Sequence, residues 1–320
     1  MNIAVMAQVT GEKVLSIFSD EYGMQWFGTD ACLLRKNGKR LTAYIYPEKK
    51  LRINDIKEGK QPGSLWLATS MGAITFDYDK ERISNIEIFD TLRTSFQTNN
   101  IVSVTFDTSR TGFFATLKGI GIYSPSGWKF YTRLVDITRN EYTSAGIKND
   151  TVYIGTRGEG VARIFRKADV FSGASSYVRP WSSLPNDTIN CVLIDKRGNQ
   201  WYGTNKGLCR HYNSEAKEGW DLSYNKQLSV KKINSMTQDT KGNIWVGTCG
   251  GLVRIENDSE LLKRWTVAEG LISDSVNIVF ADRDGSVWIG TNMGVSHFNG
   301  SRFTNFSLIG FKNISYKILK

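Results

Sequence analysis

The chain has 320 residues, 40% hydrophobic and 12% aromatic, with 30 glycines, 9 tryptophans and only 5 prolines. This composition excludes a disordered chain, and without an apolar run of about 18 residues it excludes a helical membrane span. The formal charge of +10 (41 Lys+Arg against 31 Asp+Glu) favours acidic partners, but no run of five or six basic residues forms a nucleic-acid arm, so nucleic acid is not expected.

Taken from the N-terminus, Val5-Met6-Ala7 before Gln8 reads either as the tail of a clipped signal peptide or as an ordinary first strand. A repeated segment follows, running glycine, two residues, aromatic, apolar, small residue, threonine. Its copies run Gly23–Thr29, Gly63–Thr69, Gly112–Thr116, Thr151–Thr156, Gly198–Thr204, Gly242–Thr248 and Gly285–Thr291. The aromatic anchors are Trp26, Trp66, Phe113, Tyr153, Trp201, Trp245 and Trp288, spaced by 40, 47, 40, 48, 44 and 43 residues. That period suits a four-stranded blade, and seven copies predict one all-β, seven-bladed propeller of antiparallel blades over residues 1–320.

Within a repeat, an apolar strand ends in Asp, as at Ile189–Asp195, and an Asp-to-Gly turn leads into the aromatic strand. A second turn leads to a third strand such as Gly207–Tyr212, and a more polar edge strand such as Arg302–Phe306 completes the blade. Either residues 1–13 or residues 308–320 could close the ring, and the segment Ile314 to Leu319 is the expected closing strand. His297 stands where other repeats carry Arg163, Arg210 and Arg254, and these basic groups are expected to contact Asp195, Asp239 and Asp282.

The pattern "Asp, two residues, Gly, two residues, Trp-Ile-Gly-Thr, then Gly-Leu and a basic residue" resembles the two-component regulator propeller repeat of bacterial hybrid sensor proteins. The resemblance is tight over roughly 186–307 and looser before it, where Ala68 and Ala115 replace the motif glycine and Thr29-Asp30-Ala31-Cys32 lacks the following one. It implies a periplasmic or extracellular, glycan-linked sensing context with fused signalling domains. Full-length members of that kind look like two tandem propellers, an immunoglobulin-like domain, a membrane helix and a kinase, so the chain reads as a receptor fragment or as a stand-alone propeller.

No catalytic set, metal set or cofactor site is expected. The two histidines, His211 and His297, lie on third strands, and Cys32, Cys191, Cys209 and Cys249 have no metal-ligand spacing. Asp282-Arg283-Asp284-Gly285 reads as a plain turn, and Gly158-Glu159-Gly160 lacks the strand–loop–helix setting of a phosphate loop. A binding site is placed instead where the turns after Gly-Thr and the links between blades share one face. The candidates are Asp30, Arg93, Lys118, Arg157, Glu159, Arg179, Trp181, Asn205, Lys206 and Asn292. Aromatic platforms and fork-like donors suit a glycan or another small anionic ligand. The alternatives are a protein–protein scaffold and a polysaccharide lyase.

Overall fold

The computed structural model describes residues 13–47, 50–59, 61–87, 99–131, 141–167, 170–213, 219–228, 232–256, 262–307 and 314–319. These form seven sheets, each built on an antiparallel meander of four consecutive strands. The inner strands are Val14–Ser19, Ile53–Glu58, Ile101–Phe106, Tyr142–Lys148, Ile189–Ile194, Ile233–Gln238 and Val276–Ala281. Each packs on the next, and the seventh packs on the first, so the ring is closed. All seven aromatic anchors lie on second strands, such as Gln200–Thr204 and Ile244–Thr248, and all are buried.

The repeated motif has a physical reason at each position. A Cβ added to Gly28, Gly155, Gly203, Gly247 or Gly290 would come within 2.6–2.8 Å of Ile53, Ile189, Ile233, Val276 or Val14 respectively. Each of those is the first residue of the next inner strand, so the motif glycine is the point where one blade touches the next. Gly290 against Val14 is that same joint across the seam. The motif threonine closes the following turn. The buried hydroxyls of Thr69, Thr116, Thr156, Thr204, Thr248 and Thr291 donate to the carbonyls of Gly72, Gly119, Gly160, Gly207, Gly251 and Gly294 over 2.7–3.0 Å. In the first blade, where no glycine follows, Thr29 makes the same bond to the Cys32 carbonyl at 3.0 Å.

The aromatic anchor fills the wedge between adjacent blades. Burying one indole removes roughly 200 Å² from water, about 5 kcal/mol gross at about 25 cal/mol per Å². Its N–H must then find an acceptor. In four blades the Asp that follows the inner strand supplies it: Trp26 to Asp20 at 2.8 Å, Trp201 to Asp195 and Trp245 to Asp239 at 2.9 Å, and Trp288 to Asp282 at 3.2 Å. The other oxygen of Asp195 accepts the backbone N–H groups of Arg197 and Asn199, and Asp239 does the same with Lys241 and Asn243.

These bonds correct the expectation that the third-strand basic groups meet the aspartates. Arg35, Arg210, Arg254 and His297 stand directly across the strand pair from Trp26, Trp201, Trp245 and Trp288. They lie over the ring faces, with guanidinium carbons 4.8–5.7 Å from the centroids and the His297 ring at 4.2 Å. The aspartates are already occupied by amides and indoles, whereas a cation over an indole face gains from the ring quadrupole. In the third blade Phe113 has no N–H to donate, and Asp107 pairs at 2.6 Å with Arg166 of the fourth blade, whose guanidinium covers Phe113.

The expected closing strand Ile314 to Leu319 is present as Ile314–Ile318. It runs parallel to Arg40–Ile45 as a fifth, outermost strand of the first blade. Leu319 is buried beneath it among Trp26, Tyr44 and Leu51, and its N–H donates to the Ile45 carbonyl at 2.8 Å. Residues 1–12, the other closing candidate and the site of Val5-Met6-Ala7, lie outside the described residues.

Leu319→Ala should therefore cost about 2–5 kcal/mol of unfolding free energy in a urea titration, since it empties a closed site. A second expectation concerns acid. Burial pushes the Asp221 carboxyl up, but hydrogen bonds from Ser223, Tyr212 and Arg210 outweigh it and hold the group at about 2. Because the folded value is depressed, this stabilisation is complete above the ordinary value of 3.8 and is lost as pH falls through about 2. Asp221→Asn should be about 1–3 kcal/mol less stable than the parent at pH 7. Chemical denaturation at descending pH should show that gap narrowing from about pH 4 downward.

Candidate functional site

The inner strands line a central channel of about 450 Å³. Successive strand residues point to opposite faces, so the second residue of each inner strand sits on the channel side at the end where inter-blade links arrive. Four of those residues are asparagines: Asn54, Asn190, Asn234 and Asn277. The carboxamides of Asn54, Asn190 and Asn234 each bridge two elements. One Nδ2 hydrogen crosses the joint to a carbonyl of the next inner strand, from Asn54 to Ile101 at 2.7 Å, Asn190 to Ile233 at 2.8 Å and Asn234 to Val276 at 2.7 Å. Thr143 does the same to Ile189 at 2.6 Å. The other hydrogen goes outward, from Asn190 to the Asn205 Oδ1 at 3.0 Å, Asn277 to the Asn292 Oδ1 at 2.9 Å, Asn234 to the Cys249 Sγ at 3.5 Å and Asn54 to the Asn100 Oδ1 at 2.9 Å.

A backbone carbonyl can only accept, so these bonds fix which way each amide is turned. The nitrogen sides of Asn190 and Asn234 are committed to the protein; the Asn190 Oδ1 is left as an acceptor at the channel mouth, and the Asn234 Oδ1 takes the Cys249 thiol at 4.0 Å. The structure thus ties two of the expected residues, Asn205 and Asn292, to a collar that sequence reasoning missed. The signal was legible, because a polar Asn follows the first apolar residue in four inner strands (Ile53-Asn54, Ile189-Asn190, Ile233-Asn234, Val276-Asn277).

Three more candidates gather around Asp187, in the link between the fourth and fifth blades. Its carbonyl accepts the Gly158 and Gly160 N–H groups that flank Glu159, and its carboxylate accepts the Arg179 N–H at 2.9 Å. Arg157 pairs with Glu141 at 3.2 Å, with its guanidinium largely in water. Two residues beyond Arg179, Trp181 is 87% exposed. Asp30 accepts the Lys13 N–H in the first blade, while Lys118 and Lys206 project from exposed turns of the third and fifth. Arg93 lies outside the described residues.

Among the described residues lining the channel, Asp55 pairs with Lys57 at 2.9 Å, and Asp55 also accepts the Val104 N–H of the next blade. Both histidines are body residues. Burial pushes their pKa values down, and His211 packs on Trp220 and Tyr177 while His297 covers Trp288. Burial likewise pushes the Cys32 and Cys191 thiols up to about 12, which keeps them protonated. Among the described residues no three His, Cys, Asp or Glu side chains converge as a metal site. Asp282 receives the Trp288 indole, in keeping with a plain turn at Asp282–Gly285.

Residues 227–250 and 270–293 match the family model for the two component regulator propeller. No curated protein matches the chain. Among solved structures it is similar to the extracellular domain of a protein assigned to the hybrid two component systems of B. thetaiotaomicron, at 20% identity and a TM-score of 0.77. That similarity covers 91% of this chain and 40% of the other, so the chain spans well under half of that domain's length. A second B. thetaiotaomicron extracellular domain, assigned to a one component system, aligns at 22% identity and a TM-score of 0.71 over 89% of this chain and 38% of its own. The virginiamycin B lyase of Staphylococcus aureus shares the fold at 10% identity and a TM-score of 0.67, covering 93% of this chain and 96% of that one. At such identities the structural likeness establishes the fold alone. With the motif positions explained and matched in sequence, the repeats at residues 227–250 and 270–293 are two component regulator propeller repeats within a seven-bladed β-propeller.

Proposed function

We propose that this propeller is the ligand-recognition part of an extracytoplasmic bacterial sensor, non-catalytic itself, which takes a carbohydrate at the channel mouth. The observation that carries this reading is the asparagine collar. Oriented amide oxygens at a concave opening accept hydroxyl protons without any rearrangement, which is what a sugar offers. Arg157, Arg179, Lys118 and Lys206 stand on the same face and favour a carboxylated or sulfated glycan over a neutral one, as does the charge of +10. Trp181 supplies a platform for the apolar face of a pyranose ring. The sensor context follows from the matched repeats and from the extracellular domains with the same fold. Fused signalling domains are part of the proposal, since those domains are much longer than this chain.

A lyase reading would need a general base or acid at the channel. Among the described residues the ionisable pair lining it is Asp55 with Lys57, whose Asp55 accepts the Val104 N–H, and both histidines cover rings in the blade bodies. Protein docking has one observation in its favour, the exposure of Trp181, because exposed tryptophans are frequent interface anchors.

The two readings separate in a thermal-shift series with neutral and uronate-containing oligosaccharides at low and near-physiological salt. A ligand at a hundredfold over its Kd adds about 2.7 kcal/mol, enough to move the midpoint measurably. The glycan reading expects a salt-resistant shift that Arg157→Ala and Trp181→Ala each weaken. Shifts that vanish with salt, or none at all, would contradict it, and capture of a protein partner through Trp181 would then establish the docking reading.

A further inference from the structure

At the opposite end of the strands, the second blade breaks the pattern that holds the other tryptophans. Its inner strand Ile53–Glu58 is followed by Gly59, where the first, third, fifth, sixth and seventh blades carry Asp20, Asp107, Asp195, Asp239 and Asp282. No side chain fits at this point, because a Cβ on Gly59 would lie 2.0 Å from the Ser64 Oγ and 2.7 Å from its backbone. The residue across from Trp66 on the third strand is Thr75, where Trp26, Trp201 and Trp245 face an arginine. Trp66 therefore has neither the carboxylate nor the cation. It is 96% buried (4% exposed), and among the described residues its indole N–H has no acceptor.

A cavity of about 390 Å³ occupies this place. Trp66, Phe18, Phe106 and Tyr123 give it aromatic walls, and Gly59 lies beside them. The charged groups that line it are Lys57, Glu58, Asp107 and Arg110. Lys57 is paired with Asp55 and Asp107 with Arg166, while Glu58 and Arg110 lie in the exposed part of the lining. The joint above it is also altered, with Ala68 in place of the motif glycine.

We propose that this cavity is a second binding site, for a small carboxylate with an apolar or aromatic body, in which the ligand's carboxylate accepts the Trp66 indole N–H. Four other blades show what acceptor this indole takes: a carboxylate at 2.8–3.2 Å. In the second blade the chain withholds that group and leaves a ligand-sized space instead. The aromatic walls take the body of the ligand, and its carboxylate gives the indole N–H the charged acceptor that the other tryptophans take from Asp20, Asp195, Asp239 and Asp282. The site lies at the far end of the channel from the glycan face and does not depend on it.

The test is titration of the 15N-labelled protein with phenylacetate, 3-phenylpropionate and hexanoate, following the indole N–H resonance that Trp66→Phe removes. At least one of these acids should shift that resonance saturably. Binding, read by calorimetry, should weaken about tenfold or more in Trp66→Phe and for phenylacetamide, the worth of a hydrogen bond to a charged acceptor. Arg157→Ala should leave it unchanged. No saturable shift with any of the three acids, or equal affinity in Trp66→Phe, or phenylacetamide bound as tightly as phenylacetate, would overturn the proposal.

Discussion

A carboxylate at the end of an inner strand, accepting the indole N–H of the next strand's tryptophan, is the contact on which the ring depends. The aspartates that make it are 92–96% buried (4–8% exposed), and a carboxylate placed there is costly unless every lone pair is used. The repeat meets that cost locally. At Asp195 one oxygen holds the turn amides of Arg197 and Asn199, and the other holds the Asn199 amide and Trp201. Turn, strand pair and inter-blade wedge are thus locked by one side chain. The arginine over the outer face of the indole then pairs with an acid beyond it, Asp221 for Arg210 and Glu256 for Arg254.

Much of this is legible in the sequence, because each motif position answers one local constraint. The tryptophan spacing sets the number of blades, the turn glycine meets a positive φ such as the +80° of Gly198, and the threonine closes the second turn. What the motif glycine does could not be read locally. Its reason is the β-branched side chain of an isoleucine or valine more than 20 residues away on another sheet. The same limit led to the wrong partner for the basic residues. Arginine opposite tryptophan and arginine near aspartate both fit the order of strands, and only the packing shows that the aspartate is already filled.

The candidate site divides in the same way. Turn residues such as Asn205 and Asn292 were expected from the order of strands, and their bonds to Asn190 and Asn277 give them a shared role at the channel mouth. The collar itself went unread because a single Asn in an apolar strand looks like noise until four repeats are aligned. Lys118 and Asp30 stay in separate turns, of the third and the first blade. The cavity beside Trp66 was invisible for a different reason: it is defined by what the second blade lacks.

The account turns on whether the indole–carboxylate bond stabilises the ring as a coupled unit. The direct measurement is a double-mutant cycle on unfolding free energy with Trp245→Phe and Asp239→Asn, set beside Trp66→Phe alone. A coupling energy of about 1–3 kcal/mol between Trp245 and Asp239 is expected, together with a smaller loss for Trp66→Phe than for Trp245→Phe. Additive effects in the cycle, or equal losses at the two tryptophans, would contradict it.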